Sequence, residues 1–284
     1  MSNVALIGYG EVGQLFARDL DAAGVSTSAF DILFDPRHPV CRPPARAAAD
    51  PASAVSTADL VISAVTASSA VAAVASVAPA IRPGTIVLDI NSVSPATKRA
   101  AFAVIQAAGG RYVEAAVMAA VPPLGIRVPM LLGGPYAREA ARDLAALGLN
   151  ATHHSDKIGV ASAVKMCRSV VIKGLEALLA EALVTARRHG AERDVLASLA
   201  ETFPGEDWNE LAAYMIGRAM RHGRRRGEEM HEVARTVEEA GLSPDLSLAT
   251  AERQEWAYAK GRGQAPDGDL AAILDALIRD VGAE

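Results

Sequence analysis

Gly8-Tyr9-Gly10-Glu11-Val12-Gly13 is a G-x-G-x-x-G run. It follows an apolar stretch that starts at Val4 and opens a helical pattern, and that context gives such a run its meaning. Glycine at 8 permits a tight turn, glycine at 10 lets the backbone approach a pyrophosphate, and glycine at 13 lets the helix pack closely on the strand. The helix N-terminus turns its amides and positive dipole end toward the phosphates. Gly8, Tyr9, Gly10, Glu11, Val12 and Gly13 therefore form an expected dinucleotide-binding loop. Asp31 closes the next apolar stretch. A carboxylate there accepts hydrogen bonds from the adenosine ribose and repels a 2′-phosphate, which favours NAD over NADP. Asp35 and Arg37 stand close enough in sequence to alter that preference.

Two further segments follow strand-like stretches: Val65-Thr66-Ala67-Ser68 and Asn91-Ser92-Val93-Ser94-Pro95. Ligands of open α/β sheets bind at the carboxyl ends of the strands, so Val65, Thr66, Asn91 and Ser92 are expected beside nicotinamide or substrate. Ser94 and Pro95 also read as the N-cap and first residue of a helix. Farther on, Lys165, Arg168, Ser169, Lys173 and Glu176 are the polar members of a mostly apolar run from Gly159. Their spacing puts them on one helix face. A cation on a buried helix needs a partner. That partner is either a substrate anion or an internal carboxylate, with Lys173 or Arg168 pairing to Glu176.

The elements that must position these groups alternate. Strands are predicted at 4–7, 26–31, 60–65, 85–90, 112–117 and 128–132, with a strand end at His153-His154. Helices are predicted at 11–22, 67–78, 95–108 and 136–147. Such alternation implies an α/β, Rossmann-type, doubly wound and mostly parallel sheet, and wholly apolar strands agree with burial on both faces. The stretch Ile32 to Pro51, with five prolines, reads as an extended surface loop. From Gly159 to His189 the pattern is one helix about 45 Å long, and everything afterwards is helical. The expected domains are 1–158 for dinucleotide binding and 159–284, all-helical, for substrate and dimer contacts. In the latter, Trp208, Tyr214, Arg218, His222, Arg225 and Glu229 are candidates for such contacts.

A chain of 284 residues, 51% hydrophobic and 21% charged, is globular rather than disordered. A net charge of −5 argues against nucleic acid as a partner. The run Arg224-Arg225-Arg226 leads straight into Glu228-Glu229 and reads as a charged helix face. No apolar run reaches membrane-spanning length, and the N-terminus lacks the basic stretch of a signal peptide. Two distant cysteines fit a cytoplasmic setting. Histidine spacing offers no metal site, and there is no G-x-S-x-G elbow for a serine hydrolase. An Ala-rich helical domain with a long helix suggests a homodimer.

The glycine motif, Asp89 with Asn91-Ser92-Val93-Ser94-Pro95, and Gly159-x-Ala161-x-x-x-Lys165, in this order, resemble the 3-hydroxyacid dehydrogenases, relatives of 6-phosphogluconate dehydrogenase. The resemblance covers nearly the whole chain. It implies an NAD(P)-dependent oxidoreductase acting on the hydroxyl of a small anionic 3-hydroxy acid, with Lys165 as general acid/base. It places a substrate contact at Met118-Ala119-Ala120, where the family carries a Ser-Gly-Gly loop that grips a carboxylate, beside the contacts at Asn91 and Ser92 expected from their place after a strand end. Arg168 and Ser169 stand where the family usually has an Asn or a His-Asn pair, and Arg168 is expected to grip a carboxylate. Lys173, two turns past Lys165, is expected to hold a second anionic group. The alternatives on this scaffold are an imine reductase, against which Lys165 speaks, and a regulatory NAD-binding protein without turnover. Trapped hydride transfer separates the last from an enzyme.

Overall fold

The computed structural model describes residues 3–34, 44 and 46–279. The chain forms two compact units, Met1–Met166 and Cys167–Glu284.

The first unit runs β1 (Asn3–Ile7), α1 (Glu11–Ala22), β2 (Ser26–Phe30), α2 (Pro51–Val55), β3 (Leu60–Ser63), α3 (Ala70–Val77), β4 (Ile86–Asp89), α4 (Pro95–Ala107), β5 (Arg111–Val117), β6 (Met130–Gly133), α5 (Ala137–Ala146) and β7 (Ala151–Ser155). It ends in the first turns of α6 (Val160–Arg188). The seven strands lie in the order β2-β1-β3-β4-β5-β6-β7. The chain steps outward in opposite directions from β1, so the glycine loop leaves the sheet at the topological switch point where such sheets bind ligands.

Strand side chains alternate between two cores, as a period of two requires. On one face Val4, Leu6, Leu60, Ile62, Ile86, Leu88 and Val113 pack on Phe16, Ala17 and Leu20 of α1 and on Ala137, Ala140 and Leu144 of α5. On the other, Ala5, Ile7, Val61, Val87 and Tyr112 pack on α2, α3 and α4 through Val55, Val74, Val77, Ala101 and Ile105. Burial on both faces explains why these strands read as continuous apolar runs.

One pairing departs from the parallel pattern: β5 and β6 are antiparallel. A parallel partner needs a long crossover, usually a helix. Residues 118–129 contain only a 3-10 turn at Gly125–Arg127, and the chain folds straight back. Part of the expected surface loop is more ordered than its prolines suggest. Ala48 donates to the Ala29 carbonyl at 2.8 Å, lying against β2, and Asp50 caps the short α2 through the Ser53 amide. Residues 35–43 and 45 of that loop, among them Asp35 and Arg37, lie outside the described residues.

The second unit holds the remainder of α6 with α7 (Glu192–Thr202), α8 (Trp208–Glu239), α9 (Asp245–Gly261) and α10 (Leu270–Ile278). Leu179, Leu183, Ile216, Met220, Ile273, Leu274 and Leu277 are among its core residues. Gly223 and Gly227 let α9 lie tightly against α8, since a Cβ on Gly223 would stand 2.0 Å from the Gln254 carbonyl oxygen. The division at Met166/Cys167 falls later than the expected boundary at 158. The start of α6 is bonded to β5, as described next, and belongs to the sheet.

Candidate active site

The three glycines of the loop divide into two kinds. Gly8 has φ +93°, and a Cβ there would lie 2.3 Å from the Ala64 carbonyl oxygen. A Cβ on Gly13 would lie 2.2 Å from the Gly8 carbonyl oxygen. The protein's own backbone therefore demands glycine at both. Gly10 is different: a Cβ there would meet nothing within 4 Å. Space is kept open at the N-cap of α1, which has no side-chain cap. A dinucleotide pyrophosphate fits this arrangement, because it needs close backbone approach and first-turn amides.

Asp31, at the end of β2, is half-buried. Its Oδ2 accepts from the Tyr9 amide at 2.7 Å and its Oδ1 from the Leu33 amide at 2.8 Å. A carboxylate has about four lone-pair sites, so acceptor capacity remains for ribose hydroxyls. Tyr9 also sets its ring edge-on to Phe34 at 5.6 Å. Glu11 is exposed and Val12 half-buried in the first turn of α1.

At the ends of β3 and β4 the loops are tied together. Asn91 Oδ1 accepts from the Val65 amide at 2.7 Å, and Asn91 Nδ2 donates to Ser63 Oγ at 2.9 Å. Asn91, expected beside nicotinamide or substrate, thus also ties the two loops to each other. The residue is buried and both ends of its amide are engaged, so it shapes the rim. Ser92 is half-buried and Thr66 exposed on that rim. Ser94 caps α4 as expected, accepting from the Thr97 amide at 3.3 Å.

Beneath the rim lies a buried polar group of which the sequence reading named only Asp89, without its partners Lys98, Tyr112 and Glu114. Asp89 is fully buried. Its Oδ1 accepts from the Asn91 amide at 2.9 Å, its Oδ2 from the Tyr112 hydroxyl at 2.7 Å, and Lys98 Nζ stands 2.9 Å away. Burial, then the Asp89 charge, pushes the Tyr112 phenol well above its ordinary range, so it remains a donor. Next to Asp89 in the sheet register is Glu114 of β5, also fully buried. Glu114 Oε1 accepts from the Gly159 and Ala161 amides at 2.9 and 3.0 Å, and Oε2 from the Ser162 hydroxyl at 3.1 Å. Burial pushes this carboxyl above the ordinary range, while Lys98 and the three hydrogen bonds pull it back. The sequence signal was available: a carboxylate inside an otherwise apolar strand must have partners.

The polar stripe of α6 separates into different environments. Lys165 is half-buried in the first unit. In the second, Arg168 is exposed and Ser169 half-buried. Lys173 is buried, and its Nζ donates to Glu229 Oε2 at 2.6 Å. Burial pushes the Lys173 pKa down and Glu229 opposes that shift. The expectation that Lys173 holds a substrate anion is therefore corrected: an unpaired ammonium in this interior is too costly, and α8 supplies its carboxylate. Glu176 pairs not with Lys173 or Arg168 but with Arg226, through contacts of 2.6 and 2.9 Å. Gln254 Nε2 donates a further bond to Glu176 at 2.8 Å. Met118 is half-buried, with Ala119 and Ala120 exposed, and the three present no side-chain hydroxyl.

Among the described residues no cluster of three or more His, Cys, Asp or Glu side chains is arranged to hold a metal ion. No described helix is long and apolar enough to cross a membrane.

Residues 3–122 match the NAD binding domain of 6-phosphogluconate dehydrogenase, and residues 186–257 match a domain of unknown function, DUF1932. The NAD-dependent L-serine dehydrogenase of Pseudomonas aeruginosa is 30% identical over 215 residues, 73% of this chain and 72% of that one. A conserved protein whose structure was described as similar to 3-hydroxyacid dehydrogenases is 32% identical, with a TM-score of 0.70 over 91% of this chain and 99% of that one. This chain belongs to the 3-hydroxyacid dehydrogenase family. Another structure similar to this member of the family, a conserved hypothetical protein from Sinorhizobium meliloti 1021, is 38% identical. Its TM-score is 0.79 over 98% of this chain and 96% of that one. The 3-hydroxyacid dehydrogenase fold thus extends through the helical unit, although Met118-Ala119-Ala120 in the first unit and Arg168 and Ser169 in the second depart from the expected family pattern.

Proposed function

We propose that this 3-hydroxyacid dehydrogenase oxidises the hydroxyl of a small 3-hydroxy acid to the corresponding semialdehyde or keto acid, with Lys165 accepting the hydroxyl proton. Bound NAD supplies the hydride acceptor at its nicotinamide. The residues that hold it are Gly8 to Gly13, with Asp31 at the adenosine ribose and Val65 and Thr66 along the rim. The Asp31 carboxylate disfavours a 2′-phosphate, which makes NAD the cofactor of choice.

One observation carries the reading. Glu114 bonds residues 159, 161 and 162 to the sheet, and Lys165 follows one turn later. An amine on a turn so anchored is suited to general acid/base work, which needs a group held within hydrogen-bond reach of the reacting proton. Arg168, one turn further along the same helix, offers a planar fork for the substrate carboxylate. Ser169 and Ser92 add hydroxyls. With Met118-Ala119-Ala120 in place of a polar loop, carboxylate recognition falls chiefly to Arg168. The L-serine dehydrogenase relative makes L-serine the first hydroxy acid to assay.

Lys165→Met tests the proposal. General acid/base catalysis contributes about 10²- to 10⁴-fold. Turnover should fall by that much while NAD affinity stays within about twofold of wild type. Wild-type turnover in the variant would overturn the assignment. A homodimer belongs to the same reading: Val171 and Leu178, seven residues apart on α6, are 65% and 60% exposed and suit a second copy. Sedimentation that gives only the monomer mass would remove that part.

A further inference from the structure

We propose that Glu114 is a positioning residue for Lys165: its buried carboxylate fixes the rotation and height of α6 on the sheet and so sets where the amine stands. The proposal rests on Lys165 being the proton-transfer group.

The geometry is specific. The first amides of a helix need acceptors, and the usual answer is a Ser, Thr, Asp or Asn at the N-cap. Here the preceding residue is Gly159, at φ +99°, where a Cβ would press within 3.1 Å of Pro95. The acceptor comes instead from β5, 45 residues away in sequence. Room for it is built in: a Cβ on Gly133 would stand 2.2 Å from Glu114 Oε1. Ala161, Ser162 and Met166 are buried with it.

Two amides and one hydroxyl converging on a single carboxylate resist both sliding and rotation of the helix. Lys165 lies three residues beyond Ser162, about 4.5 Å along the axis. It is only about 40° round the helix from Ala161. At a side-chain radius of about 6 Å, a rotation of about 10° moves a group by about 1 Å. A displacement of that size can cost about a hundredfold in rate.

The neighbouring strand uses the same device. Asp89, the register partner of Glu114, holds the Asn91 amide. Two adjacent buried carboxylates therefore set the loop after β4 and the start of α6 from one place. The charged and titratable groups facing Glu114 are Lys98 from α4, Asp89 from β4 and Tyr112 from its own strand, and Arg99 borders Gly159.

The experiment compares Glu114→Gln, Ser162→Ala and Lys165→Met in the full-length protein. L-serine and 3-hydroxyisobutyrate serve as probes of turnover, with NAD titration and mass-spectrometric hydrogen exchange alongside. In Glu114→Gln, kcat should fall about 10- to 100-fold. KM and the NAD Kd should stay within about twofold, and exchange across residues 159–166 should quicken. Ser162→Ala, which deletes one bond, should move the same quantities less, and it carries the comparison if Glu114→Gln does not fold. Unchanged kcat or unchanged exchange overturns the proposal. So does a parallel loss of kcat, NAD affinity and thermal stability, which marks a merely structural role. Full activity in Lys165→Met overturns the reading of Lys165 and this proposal with it. An inactive Lys165→Met beside an undiminished Glu114→Gln overturns this proposal alone.

Discussion

The carboxylate of Asp31 accepts a 2.7 Å hydrogen bond from the backbone N–H of Tyr9, a residue of the glycine loop itself. The group suited to the adenosine ribose therefore also holds the loop intended for the pyrophosphate. Asp31→Asn keeps an acceptor for Tyr9 but removes the charge. Hydrogen bonds to charged groups contribute about 1.5–3 kcal/mol, or roughly 10- to 100-fold in affinity. The NAD Kd should rise by that factor and the preference over NADP should shrink. Titration of both cofactors checks this, and an unchanged NAD-to-NADP ratio would count against Asp31 as the discriminator.

The glycines separate binding from folding. Gly10→Ala meets open space, so the protein should fold with nearly unchanged stability while NAD affinity falls at least about tenfold, because the added methyl occupies the phosphate approach. Gly8→Ala and Gly13→Ala drive a methyl into backbone and should lose about 1–3 kcal/mol or more. Thermal unfolding and NAD titration of the three variants read both effects. Equal destabilisation by all three would refute the division.

Within the helical unit, Glu176 and Arg226 form a buried pair. Removing one partner of such a pair leaves a stranded charge and costs about 3–5 kcal/mol. Glu176→Ala should lower the denaturation midpoint accordingly. Replacing both residues by Met should cost less than either single change, since paired burial returns little net energy. A double variant as unstable as the sum of the singles would contradict this.

His222 predicts an acid-side instability. Burial first, then Arg225, Arg226, Arg221 and Arg218, depress its pKa below the ordinary 6.5. The unfolded chain therefore binds the proton more readily than the folded one. The stability this group contributes is fully present above pH 6.5 and is lost as pH falls through the folded pKa. Tm should drop between pH 7 and pH 5, and His222→Gln should flatten that slope. A slope identical to wild type would exclude His222 as its source.

Much of the molecule was legible in advance. The six strand runs and the four helices assigned between 11 and 147 agree with the structure to within a few residues. The seventh strand was glimpsed only through its His153-His154 end. The short α2 escaped notice because five residues carry too little periodicity to register. The α6 stripe was read as one polar face, yet its members have different fates: Lys173 and Glu176 are buried and paired, while Arg168 is exposed. Spacing identifies which residues share a face but not which part of that face is covered.

By itself the sequence determined what acts over a short window: apolar alternation, the glycine loop at the end of β1, the Ser94-Pro95 helix start and the length of α6. These depend on backbone preference and on side-chain period, which neighbouring residues settle among themselves. Only the tertiary structure decided the partners of buried charge. Lys173 meets Glu229 across 56 residues and Glu114 meets Gly159 across 45, while Asn91 turns inward to Val65. Such pairings follow from distance through space and from loss of water. The chain offers several carboxylates for each cation, and packing alone selects which one arrives.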